Sequence, residues 1–252
     1  ASCIFSFTLQ AQVNVTTYHN DNARTGQNTQ ETILTPANVN SSQFGKLFSV
    51  SVDGRVYAQT LYLSNVSIAG AAHNVLYVAT EHDSLYAIDA DRGTIYWRIS
   101  LIPAGGTTVN SNTDLGCTDL LPEIGITGTP VIDTSTGTIY LVAKSKVSGS
   151  IVQYLHAIDV ATAAEKFGGP VLIQATVPGT ATDGDGTNVS FNSRMEHQRA
   201  GLLLVKGHVV IGWGSHCDFS PWHGWIISYQ AGTLAQEGAF NTSANGSGNG
   251  VW

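Results

Sequence analysis

"LYAIDADRGTIYW", Leu85 to Trp97, recurs as "LHAIDVATAAEKF" at Leu155 to Phe167 and more faintly as "IISYQAGTLAQEGAF" at Ile226 to Phe240. The anchor positions Asp89, Asp159 and Gln230 stand 70 and 71 residues apart, a period that marks a repeat architecture. Ahead of each anchor lies a β-rich run: "VLYVAT" (75–80), "TIYLVAK" (138–144) and "HVVIGWG" (208–214). Ahead of each of those lies another: "VYAQTLYL" (56–63), "TGTPVID" (127–133) and "RAGLLLV" (199–205). Turn residues such as "DTSTG", Asp133 to Gly137, separate the runs. Each unit therefore reads as four short antiparallel strands in sequence.

A meander of this kind cannot hide both of its faces alone. Units that cover one another in a ring give a β-propeller, so the expected fold is all-β with four-stranded antiparallel blades at about 56–101, 127–173 and 199–241. One further strand, "FGKLFSVSV" (44–52), is expected ahead of them, which makes the propeller of residues 44–252 incomplete, with three blades plus one strand. On this reading the chain is a truncated part of a longer protein, or a second copy closes the ring and covers the sheet edges.

The repeat residues also carry a resemblance. Ala87, Asp89, Gly93 and Trp97 fit the A-x-D-x-x-T-G-x-x-x-W pattern of the pyrroloquinoline-quinone (PQQ)-like propeller repeats of the quinoprotein dehydrogenases, with Arg92 in place of the threonine. The second copy keeps Ala157, Asp159 and Thr162 but has Ala163 for the glycine and Phe167 for the tryptophan. "YHNDNARTGQNTQETILTPANVNSSQFGKLFSV", from Tyr18, is similar to the entry segment of that family, here residues 13–43. The resemblance implies a quinoprotein-like propeller, with PQQ and calcium as possible cofactors. The motif residues themselves are structural: glycine permits a turn with positive φ, aspartate ties the turn backbone and the aromatic packs between blades.

Composition narrows the partners. The net charge is -7 with only 11 Lys plus Arg, and no basic run could line a phosphate backbone, so nucleic acid is excluded as a partner. Apart from the opening residues no segment is apolar enough to span a membrane. Residues 1–12, "ASCIFSFTLQAQ", read as a signal-peptide remnant, which predicts a secreted or periplasmic protein. Cys3 falls within it, and the remaining pair, Cys117 and Cys217, is expected to form a disulfide in an oxidising compartment, the alternative being a reactive or metal-bound thiol.

In a four-strand meander the second-to-third turns and the between-blade links share one rim. The links 102–126 and 174–198 and the turns 81–84, 145–153 and 214–224 belong to it, and they hold most of the unusual polar residues, among them Glu81, His82, Asp83, Asp119 and His197. Catalytic candidates are His216, Asp218, His223, Glu123, Glu196 and Arg199. Metal candidates are His216, Asp218 and His223 in "GSHCDFSPWHGW", and Asp183 with Asp185 in the oxygen-rich "TDGDGTN". No G-x-S-x-G elbow supports a serine hydrolase. Three functions stay open: a secreted binding or scaffold propeller with an unknown small-molecule ligand, a quinoprotein-type oxidoreductase, and a metal-assisted ester or lactone hydrolase.

Overall fold

The computed structural model describes residues 13–252. The signal-peptide assignment and Cys3 lie outside the described residues.

Three antiparallel meanders form the body of the molecule. The first is β1 (Leu61–Ile68), β2 (Ala71–Ala79), β3 (Ser84–Asp89) and β4 (Ile95–Ser100), paired in that order. A link carrying β5 (Gly106–Asn110), the short helix α1 (Ser111–Leu115) and β6 (Glu123–Ile124) leads to the second. That blade comprises β7 (Val131–Asp133), β8 (Thr138–Val147), β9 (Ser150–Asp159) and β10 (Val171–Leu172). A hairpin of β11 (Thr176–Pro178) and β12 (Asn188–Ser190) leads to the third. There β13 (Glu196–His197) and β14 (Leu203–Val205) both pair with β15 (His208–Ser215), followed by β16 (Trp225–Gln230) and β17 (Gln236–Asn241). These are the blades of a β-propeller, and the described residues are all-β apart from one helical turn.

The alternation of β8 shows why the blades stack. Ile139, Leu141 and Ala143 enter a core shared with Leu61, Tyr77, Leu85 and Ala87 of the first blade. Tyr140 and Val142 enter the core of the third blade, against Trp213, Trp225, Ile227 and Tyr229. A strand with a period of two that is buried throughout Thr138–Ser145 needs a partner on each side, and it has one. Two tyrosines pin the seams in register: Tyr77 Oη donates to Val160 O at 2.9 Å, and Tyr140 Oη to Ala231 O at 3.0 Å. Each acceptor directly follows a repeat anchor, Asp159 or Gln230.

The anchor turns share one geometry. Asp89 Oδ1 accepts from the backbone N–H of Asp91 and Arg92, and Asp159 Oδ1 from those of Ala161 and Thr162. Gly93 takes φ 75° at the closing position; Ala163 takes 63° and Leu234 takes 57° at the matching sites, so the third copy keeps the turn with neither aspartate nor glycine.

Two stretches differ from the sequence reading. Residues 145–153 are not a loop: β8 and β9 run on to a tight turn at Ser148–Gly149, because β5 adds itself to the far half of β8. Residues 44–52 form no ladder; instead Val50 and Val52 lie against Val78, Tyr86 and Ile88 on the first blade's other face.

Candidate functional site

The position beside β8 is filled in two pieces, β7 and β5, and the position beside β15 likewise by β14 and β13. At these breaks the backbone leaves the ladder and bonds across blades. Gln59 N–H donates to Thr129 Oγ1 at 2.9 Å, and Leu202 N–H to Thr129 O at 2.9 Å. A cavity of ≈ 380 Å³ opens there, lined by Tyr18, Arg24, Thr129, Arg199–Gly201 and Trp252. Arg24 is consumed in structure, donating to Thr17 Oγ1, Tyr18 O and Leu202 O. Arg199 is different: among the described residues its guanidinium has no hydrogen-bond partner, and it reaches Glu81 only through its field. Trp252 lies against Gly214, where an added Cβ would stand 2.8 Å from the indole, so glycine is what admits the ring.

Behind this cavity the polar end of β8 feeds both seams. Ser145 faces the first blade, where its Oγ donates to Asp83 Oδ2 at 2.7 Å. Lys144 faces the third, where its Nζ lies 3.1 Å from Glu196 O, 3.3 Å from Arg194 O and 2.8 Å from His216 Nε2. Burial pushes the Glu81 carboxyl up to about 7, against hydrogen bonds from Gly125 N–H and Thr127 Oγ1. The same cause lifts Asp83 well above the carboxylate range and Glu196 to about 8, and drops Lys144 to about 7. His216 falls to about 4 through burial and then the neighbouring Lys144. His197, stacked on His216 with ring centroids 4.2 Å apart, is pushed well below the imidazole range, first by burial and then by His216.

The sequence candidates separate into different surroundings. His223, buried, holds Asp183 through Nε2 at 3.1 Å and Ser243 Oγ through Nδ1 at 2.9 Å. Glu123 pairs with His82 at 3.0 Å, with the imidazole partly in solvent. Asp218 is exposed, with φ 50°. His216 therefore does not share a ligand set with Asp218 and His223; its neighbours are Lys144, His197 and Asp119. Asp183 and Asp185 do not converge either, because the Asp185 carboxylate is taken up by Thr187 and Asn188 of its own loop while Asp183 turns to His223. Cys117 and Cys217 form a disulfide, Cα–Cα 5.9 Å, which removes the thiol alternative.

Lys144, Tyr18, Arg24, Thr129 and Trp252 were not singled out by the sequence. Lys144 was findable: a lysine in phase with Tyr140 and Val142 on a strand buried on both faces must enter a seam.

The residues present do not fit PQQ with calcium. No carboxylate lines the cavity to hold the cation beside a quinone. No family model matches the sequence. No curated protein matches it. Among solved structures the chain is similar to quinohemoprotein alcohol dehydrogenases from Pseudomonas putida HK5 (19% identity over 76% of this chain and 21% of that one, TM-score 0.43) and Comamonas testosteroni (13%, 75%, 31%, TM-score 0.45). It is similar also to BamB from Moraxella catarrhalis (12% identity, 75% of this chain and 64% of that one, TM-score 0.29). The chain spans less than a third of either dehydrogenase, and the assignment of the fold rests on its own sheets.

Proposed function

We propose that this chain is an exported binding or scaffold propeller whose cavity at the broken inner edge takes a small anionic ligand. One observation carries the reading: Arg199 lines a cavity of ≈ 380 Å³ with its guanidinium unpaired among the described residues. Tyr18 and Trp252 stand beside it as flat apolar walls. A guanidinium fork suits a carboxylate, and an aromatic wall suits a planar body, so an aromatic carboxylate matches both. The volume falls within the ordinary range for small-molecule sites, roughly 300–1,000 Å³. Export is supported by the disulfide, which persists in oxidising compartments. The same reading includes self-association with a second copy, since Ile33, Phe44 and Leu47, ahead of the first blade, present apolar side chains to solvent.

Calorimetric titration with benzoate and with acetate tests it. Saturable benzoate binding, weaker for acetate and reduced at least about tenfold in Arg199→Ala, is the expected result. Heats that do not saturate, or binding indifferent to Arg199→Ala, would remove the proposal. Dye-linked alcohol oxidation dependent on added PQQ and calcium, or EDTA-sensitive turnover of a simple ester or lactone, would replace it with an enzyme.

A further inference from the structure

We propose that Asp119, His197 and His216 form a binding site for a transition metal, zinc by the chemistry of the set, at the seam between the second and third blades. One ligand atom from each residue lies within 4.8 Å of the others. Two imidazoles and a carboxylate, with water in the fourth position, are a donor set for tetrahedral zinc. The set adjoins the Arg199 cavity, with Trp252 edge-on to His197 at 6.0 Å between ring centroids, but it does not depend on an anion binding there.

The second observation is the state of the histidines. His197 is 3% and His216 2% exposed, and both ring nitrogens of His197 and Nδ1 of His216 lack a hydrogen-bond partner among the described residues. Buried polar atoms left unpaired in this way cost folding free energy, and one ion would satisfy two of the three at once, one nitrogen from each ring. Nε2 of His216 lies 2.8 Å from Lys144 Nζ, which fixes the ring and turns Nδ1 toward Asp119; with zinc on Nδ1 the ring keeps its proton on Nε2 and donates it to the neutral Lys144 amine. That nitrogen faces Asp119 Oδ2 at 3.9 Å, longer than a hydrogen bond and near the roughly 3.3 Å that two ligands of one zinc ion keep.

The two imidazole rings lie 18° from parallel, so sharing an ion requires one of them to turn. His197 is the ring that can do so, having no hydrogen bond to break among the described residues. Asp119, with its side chain 36% exposed, supplies the negative charge and the route from solvent. The disulfide assembles the set: Cys117 stands two residues before Asp119 and Cys217 directly after His216, so the bond holds ligands from two distant loops beside each other. Only His216 among the three was a metal candidate on sequence, because the spacing of 97 residues between Asp119 and His216 resembles no local ligand motif.

The test is titration of the intact, disulfide-bonded chain with Co²⁺ and with Zn²⁺ in a buffer free of chelators, followed by visible absorption for cobalt and by calorimetry for zinc. One equivalent per chain, with the intense visible bands of tetrahedral cobalt, is expected. Asp119→Asn, at a partly exposed position that leaves the core intact, should weaken binding at least about tenfold, and His197→Gln should abolish it. Asp218→Asn, an exposed carboxylate beside the same cysteine, should change nothing. Absence of stoichiometric binding of either ion, or binding equal to wild type in Asp119→Asn, overturns the assignment; if His197→Gln does not fold, Asp119→Asn alone decides.

Discussion

Glu81 shows how much a single side chain is asked to tolerate here. It is fully buried, with Oε2 satisfied by Gly125 and Thr127 and Oε1 unpartnered, and it lies in the fields of Arg199, Glu123 and Asp83. Its folded pKa of about 7 stands above the ordinary 4.5, so its stabilising contribution is complete below pH 4.5, fades as pH rises through about 7 and is level beyond. Glu81→Gln removes the titration while keeping the shape. The variant should therefore gain on wild type between pH 5 and pH 8, by up to about 3 kcal/mol, in urea unfolding at the two pH values. A stability difference that is the same at both would show that the carboxyl is not protonated in the native chain. Nothing in "ATEHDSLYAID" distinguishes Glu81 from a solvated acid of a surface turn; its burial comes from Gly125 and Thr127, more than forty residues along the chain.

Among the elements, β8 and the loop ends joined by the disulfide hold the blades to one another. The Cys117–Cys217 bond closes a loop of 100 residues, for which the chain-entropy model gives up to ~4.7 kcal/mol. Replacing both cysteines by serine should lower the urea midpoint and steepen the slope, because the unfolded chain without the cross-link exposes more surface; midpoints that coincide with wild type would mean that the seam is held by packing alone. The repeat itself was legible at this scale. The 70-residue spacing pointed to three meanders because β-branched runs and turn residues alternate with little interference, although the first run, 56–63, falls short of β1 at Leu61–Ile68. Its register was harder to see. The turn at 148–149 was missed because "KSKVSGSIVQ" looks polar enough for a loop, and only pairing with β5 turns it into a strand. In the third blade the reverse holds: Leu234 replaces glycine at positive φ, yet its side chain is buried among Trp213 and Tyr229, so packing outweighs the turn preference.

For the molecule as a whole, the unevenness of the surface matters most. Leu47 is 90% exposed and Phe44 55% on the stretch ahead of the first blade, and Phe240 is 60% exposed on the outer strand of the third. Sedimentation velocity across a hundredfold range of concentration should show reversible association, and charge-introducing Leu47→Glu should shift it toward monomer. A single compact monomer throughout would refute it. The repeat made the fold class legible, but the cavity could not be read because its walls come from Tyr18, Thr129, Arg199 and Trp252, four segments with no shared pattern.

The placement of the five tryptophans has an optical consequence. Trp213 and Trp225 are sealed in the core, whereas Trp252 is 64% exposed at the lip of the cavity beside Arg199. A neutral quencher such as acrylamide will reach the open Trp252 first, the half-buried Trp97 and Trp222 next and the sealed pair last, so in a Trp97→Phe, Trp222→Phe background the emission divides into an accessible component that reports on the cavity and a protected one that reports on the seam between blades. The chain thus carries its own fluorescent probe of occupancy, with an internal reference built into the same spectrum.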